Sequence, residues 1–236
     1  MAAIDGLPLY SLVVRADLRK NISRIDDLKG RRIGVHSDSP IAITTSRQIL
    51  NLVLGSRGIS PSEVSIIPAG QSWDSQSSVF LTRTADAIMS DEPLATRFTL
   101  EKLGGTIYST GNKSDISTTP GAGFLRATLI ARRDKVERNS ELSMRMVKVV
   151  QRSLAYMASR KAPELADLMA LQGAERLSFI NVFEKFPDQY SHDAKFSRAQ
   201  LKDTEIFTRH ANPGIAGVLQ YAVDQMVIDR WAGSKP

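Results

Sequence analysis

The stretch ADAIMSDEPLATRF, residues 85–98, places two carboxylates, Asp91 and Glu92, directly after an apolar run and just before Pro93. Adjacent acids at the mouth of a sheet could act as a general acid/base pair. The same residues could do no more than start a helix. Ser90 is a good N-cap, two acids suit the positive end of a helix dipole, and proline is tolerated in a first turn. Local helix chemistry therefore accounts for all four residues. Catalysis would also need a nucleophile, a metal or an electrophile-stabilising partner, and the sequence points to none. A structural or ligand-lining role is the better reading, because open α/β sheets bind ligands at the carboxyl ends of their parallel strands.

Two further loops occupy equivalent places. HSDSP (36–40) offers the hydroxyls of Ser37 and Ser39 beside a helix start with free N–H groups, which suits an oxyanion. Plain N-capping by Ser37, Asp38 or Ser39 explains it equally well, and Asp38 would repel an anion. AGQS (69–72) is a similar short loop, and Trp73 after it could stack on a flat ligand or simply pack, packing being preferred for a lone tryptophan. His36, His192 and His210 lie far apart with no metal-ligand spacing. There is no G-x-S-x-G, so His36 beside Ser37 makes no triad. Neither glycine-rich phosphate motif occurs, and GAG (121–123) before Phe124 reads as a turn into a strand. With no cysteine, disulfides, thiolate nucleophiles and cysteine-ligated metal centres are excluded.

The elements that must position these loops alternate through the first half. SLVVR (11–15), RRIGVH (31–36), EVSIIP (63–68), ADAIM (85–89) and GGTIYST (104–110) read as strands. Between them, Ser23 with Asp26 resembles a capping box for a turn closed by Gly30. Helices are predicted over 41–54, 74–81 and 93–103. This order predicts a largely parallel, doubly wound α/β unit. Residues 112–123 shift to Ser, Thr, Gly and Asp and read as a linker or loop, and FLRATLIAR (124–132) as a strand. Beyond it the chain becomes helical. Leu142, Met146, Val149, Val150, Leu154 and Met157 recur at helical steps. Further helices are expected from Pro163 to Leu171, near 175–183 and 198–210, and from Pro213 to about Trp231.

The chain of 236 residues is long enough for one large domain or two small lobes, and 42% hydrophobic with 24% charged residues is ordinary for a globular protein. A net charge of +6 is spread along the chain with few aromatic residues between the cations, which argues against a nucleic-acid surface. No stretch is long and apolar enough for a membrane helix. The opening MAAIDGLPLYSLVV lacks a basic segment followed by a long apolar core, so no signal peptide is read in it.

Taken in order, SLVVRADLRKNISRIDDLKGRRIGV, EVSIIPAG, ADAIMSDEPLATRF and ATLIARRDKVERNSELSMRMVKVVQRSLAYMA resemble the periplasmic solute-binding proteins of ABC importers, of the nitrate/sulfonate/taurine and thiamine-precursor type. The resemblance implies a type II periplasmic-binding-protein fold. Family members carry a further N-terminal portion with the signal peptide and the first elements of lobe one. The expected division is therefore 1–24 as crossing strand and remnant of lobe one, 25–120 as a doubly wound lobe two, and 121–236 as return strand and C-terminal helices of a partial, mostly helical lobe one.

By the same resemblance, a small organic or oxyanionic solute sits in an interlobe cleft that closes about a hinge, and no cofactor is involved. Ser37, Asp38 and Ser39, then Gly70 and Gln71, then Ser90, Asp91 and Glu92 would line lobe two, with Gly123 in the linker closing the site. An importer permease is the implied partner, the location is extracytoplasmic, and the incomplete lobe would favour self-association. Two alternatives stand beside this. One is an enzyme on the same scaffold, of thiamine-pyrimidine or menaquinone-pathway type, using His36 with Asp91; the cysteine-rich motif of the pyrimidine synthases is absent. The other is a ligand-sensing regulatory module.

Overall fold

The computed structural model describes residues 1–211 and 222–235. The chain opens on a two-residue strand, β1 (Ala2–Ala3), and then enters β2 (Tyr10–Arg15), all six residues of which are buried. Strands β3 (Arg32–Val35), β4 (Ser65–Pro68), β5 (Ala87–Asp91) and β6 (Gly104–Ser109) complete a five-stranded sheet of order β4-β3-β5-β2-β6. β3 is parallel to β4 and β5, whereas β2 runs antiparallel to both β5 and β6. The strand expected to bracket the α/β unit is thus a central member of its sheet. The physical reason is burial: six consecutive covered residues need neighbours on both edges and both faces.

Alternation along the strands divides the core in two. On one face Leu12, Val14, Ile33, Val35, Ala87 and Met89 meet Ile49, Leu50, Val53 and Leu54 of α1 (Thr45–Gly55). On the other, Val13 and Ile88 meet Phe80 of α2 (Trp73–Leu81) and Phe98 of α3 (Leu94–Leu100). Phe98 packs between Trp73 and Phe80, with ring centroids 4.9 Å from each, so Trp73 is a packing residue. At the edge where the parallel strands begin, Asp86 accepts from Arg32 Nη2 (2.7 Å) and lies 3.6 Å from Arg15 Nη1.

Several local expectations are revised. Helix α1 begins at Thr45, with Thr44 as its cap, so 41–44 lie outside it. The capping carboxylate near Gly30 is Asp27, not Asp26: it accepts from the backbone of Ser23 (2.9 Å) and Arg24 (3.0 Å), because a turn of 3-10 helix over Ile25–Leu28 places position 27 back over the cap. The segment read as a loop at 112–123 contains a short helix, α4 (Lys113–Ser117). Of the strand expected over 124–132, only β7 (Thr128–Leu129) forms, antiparallel to β1; no longer partner strand lies beside it among the described residues.

The remainder is helical. It comprises α5 (Arg133–Arg138), α6 (Ser140–Ala158), α7 (Ala162–Leu168) and α8 (Gly173–Lys185), then α9 (Arg198–Ala211) after β8 (Phe196–Ser197). Val147 and Leu154 of α6 pack with Ala2, Ala194 and Ala232, while Leu142, Met146 and Val149 are exposed. The stacked pair Phe124–Phe207, with centroids 3.8 Å apart and planes within 5°, ties the return segment to α9. The helix expected from Pro213 falls over 212–221, outside the described residues. Its expected continuation to Trp231 does not occur, since 222–235 hold a 3-10 turn (Val223–Met226) and β9 (Ser234–Lys235), which pairs with β8.

Candidate ligand site

The carboxyl ends of β3, β4 and β5 lie along one edge of the sheet, and antiparallel β2 brings its first residue, Tyr10, to the same edge opposite Asp91. His36 follows β3 directly. Its backbone N–H donates to Ser46 Oγ (2.8 Å) in the first turn of α1, which holds the imidazole beside β5. His36 Nδ1 lies 3.5 Å from Asp91 Oδ1. Arg126 reaches the same carboxylate from the return segment, with Nη2 3.7 Å from Asp91 Oδ2 and its guanidinium carbon 5.0 Å above the centre of the Tyr10 ring.

Two features keep this cluster in place. Asp5, buried in the connection from β1 to β2, accepts from the backbone N–H groups of Arg126 and Ala127 (3.0 Å each) and so positions the segment that carries the guanidinium. Burial raises the Asp5 carboxyl above its usual range, and these backbone hydrogen bonds only partly offset that. Burial likewise pushes the Tyr10 hydroxyl up to about 12, the nearby Arg126 opposing and Asp91 reinforcing the shift, while the hydroxyl meets the side chain of Thr45. Tyr10 therefore stays a protonated donor at neutral pH.

The residues singled out from the sequence fall into four places. Ser37, Asp38, Ser39 and Gly70 come together. The buried Ser37 Oγ donates to the Ser39 carbonyl (2.8 Å) and accepts from Ser39 N–H (3.1 Å), and Gly70 N–H donates to the Ser37 carbonyl (2.9 Å). Gly70 has φ +66°, and a Cβ there would fall 2.6 Å from Ser75 Cβ, so this turn needs glycine. Gln71 follows on the exposed surface of the same loop. Asp91 sits next to this pair of loops through His36.

Ser90 and Glu92 do not join them. Ser90 is a fully buried strand residue whose Oγ donates to Gln76 Oε1 (2.6 Å), and it does not cap α3. The carboxylate at the start of α3 is that of Glu92, which accepts from Thr96 N–H (2.8 Å) and from Ser11 Oγ (3.2 Å) on the opposite face of the sheet. Strand alternation separates the two acids, so they form no dyad. Glu92 lines a separate polar cleft of about 570 Å³ with Ser109, Asp115 and Lys185. Burial raises its carboxyl, against the hydrogen bonds from Thr96 and Ser11. Gly123 is buried against α9, where a Cβ would come within 2.5 Å of Asp203 Oδ2.

Tyr10, Thr45 and Arg126 were not singled out from the sequence. A strand's first residue and a lone arginine in FLRAT carry no local signal, and only the antiparallel insertion of β2 and the return of the chain bring them to Asp91. Among the described residues no group of acids and histidines could hold a metal ion.

The sequence pattern that defines NMT1/THI5-like proteins matches residues 2–164. The chain belongs to the NMT1/THI5-like family. A search of curated proteins by sequence gives no match. Solved structures share the family fold over nearly all of this chain. A protein from Bordetella bronchiseptica RB50 superimposes with TM-score 0.81 at 18% identity, over 98% of this chain and 72% of that one. The periplasmic sulfonate-binding protein SsuA of Methylobacillus flagellatus KT gives 0.67 at 17% identity, covering 96% and 65%. The alkanesulfonate-binding protein SsuA of Xanthomonas axonopodis pv. citri, bound to MOPS, gives 0.64 at 14%, covering 98% and 71%. The fold is thus that of periplasmic binding proteins, and this family member spans about two thirds to three quarters of the length of these structures.

Proposed function

We propose that this NMT1/THI5-like protein is the solute-binding component of an ABC-type importer, working outside the cytoplasm and delivering a small organic or oxyanionic solute to a permease. The observation that carries the reading is the meeting of His36, Asp91 and Tyr10 from the sheet edge with Arg126 from the return segment. A charged cluster shared by two parts of the chain is what a binding protein needs for ligand and closure to be coupled. The Ser37–Ser39 and Gly70–Gln71 loops form the adjacent wall, and the paired segments β1 and β7 are the place for the hinge. Names borne by similar structures, sulfonate-binding and alkanesulfonate-binding, support an acidic solute.

A ligand that binds only the native state raises the melting temperature with its concentration. Thermal shift against sulfonates, nitrate, aromatic acids and pyrimidines is expected to give at least one such rise, lost in Arg126→Ala. A folded protein shifted by none of them would sink the binding reading. The His36–Asp91 contact of 3.5 Å favours one second reading, an enzyme in which the carboxylate orients the imidazole. Turnover of a bound panel member, abolished by His36→Ala, would select it. We further propose that copies associate through the exposed apolar stripe of α6.

A further inference from the structure

Asp91 is an unusual carboxylate for a ligand wall. Among the described residues neither of its oxygens accepts a hydrogen bond: Oδ1 is covered and has no hydrogen-bond partner, with His36 Nδ1 at 3.5 Å, and Oδ2 has only the Arg126 guanidinium at 3.7 Å. Buried carboxylates ordinarily accept hydrogen bonds, since stripping them of water otherwise costs free energy. The side chain keeps 17% exposure, none of it on Oδ1, so a molecule at this edge can still reach it from the Oδ2 side. Arg126 is also loosely held. Its side chain is 43% exposed, it makes no hydrogen bond to Asp91, and it rests on the face of Tyr10.

Resting on the solute-binding reading above, we infer that the solute is a small zwitterion that binds by exchanging ion pairs: its ammonium group takes Asp91 Oδ2 while its acidic group takes Arg126. The free protein's loose pair is replaced by two charge-assisted hydrogen bonds of better geometry, and no net charge is left unpaired in the site. Tyr10, buried with its hydroxyl on the Thr45 side chain, gives Arg126 a fixed neutral ring face to rest on while the guanidinium meets the acidic group. A bare anion would gain Arg126 but leave Asp91 as an uncompensated like charge beside it. Asp91 is on this account the residue that sets specificity.

Calorimetry on matched pairs tests the inference: taurine against ethanesulfonate, and β-alanine against propionate. In at least one pair the amino member is expected to bind about tenfold tighter or more, the scale of one charged hydrogen bond. Asp91→Asn should erase that preference, and Arg126→Gln should weaken the amino members. Because Asp91 makes no hydrogen bond that holds the fold, the variant should melt close to wild type, and this is checked first; were it to unfold, the preference of the wild-type protein within each pair carries the test by itself. Equal affinity within the pairs, unchanged in Asp91→Asn, overturns the zwitterion and leaves the binding reading standing. No binding by these four together with the wider panel overturns both.

Discussion

Glu92 shows how one residue in a strand changes an acid's work. Asp91 faces the sheet edge that carries His36 and Tyr10, whereas Glu92, one position on, holds the first turn of α3 and sits largely out of water on the far face of the sheet. Its carboxyl is raised by burial, so the folded state binds this proton more tightly than the unfolded chain does. A raised carboxyl contributes stability that is complete below its unfolded value and is lost as pH rises through its folded value. Glu92→Gln keeps an acceptor for Thr96 while removing the buried charge. Its melting temperature relative to wild type is therefore expected to rise with pH, from no gain near pH 4 to a gain of about 2–4 °C at pH 8. Scanning fluorimetry across that range checks it; a difference independent of pH would mean that Glu92 carries no buried charge.

At the scale of elements, α9 acts as the clamp on the return segment that delivers Arg126. Gly121, with φ +90°, and Gly123 lie tight against it, and Phe207 stacks on Phe124. Phe207→Ala removes a buried ring and its stacking partner, a loss of about 3–5 kcal/mol for a core aromatic. Chemical denaturation should show that loss. The more telling outcome is functional: ligand affinity should fall although Phe207 is not among the clustered site residues, because Arg126 loses its fixed approach. Undiminished affinity in the folded variant would show that Asp5 alone positions the segment. The boundaries of these elements were only partly legible beforehand. The periodicity of 142–157 and the C-terminal ends of α1 and α2 are local properties, but the start of α1 was expected too early, and the Ser/Thr/Gly-rich 112–123 hid a short helix and a buried turn that α9 stabilises from far along the chain.

For the whole molecule, the informative feature is α6, apolar on two sides. Val147 and Leu154 are covered, whereas Leu142, Met146, Val149 and Tyr156 are exposed along the same helix as Arg145, Lys148 and Arg152. An exposed apolar stripe of this kind favours association. Sedimentation velocity is expected to show self-association that grows with concentration and weakens in the double variant Met146→Glu, Val149→Lys. A monomer at every concentration would refute association through this face. Two-sided cover of the inner strands β2, β3 and β5 explains why they read so plainly from sequence, since each needs apolar residues on both faces, whereas the edge strands β4 and β6 are covered only in part. The region around β1 and β7 was much less legible because its strands are two residues long.

The sequence by itself determined the α/β alternation, the helical second half, the family, and the loops after β3 and β4, because hydrophobic period, capping residues and glycine positions act within a few residues of one another. Tertiary structure alone decided the site. Whether Asp91 or Glu92 faces the His36 side of the sheet depends on register against β2. The arrival of Tyr10 and Arg126 at that carboxylate depends on pairings between distant parts of the chain, the hold of Asp5 on the Arg126 backbone among them, and no local property of the chain encodes those pairings.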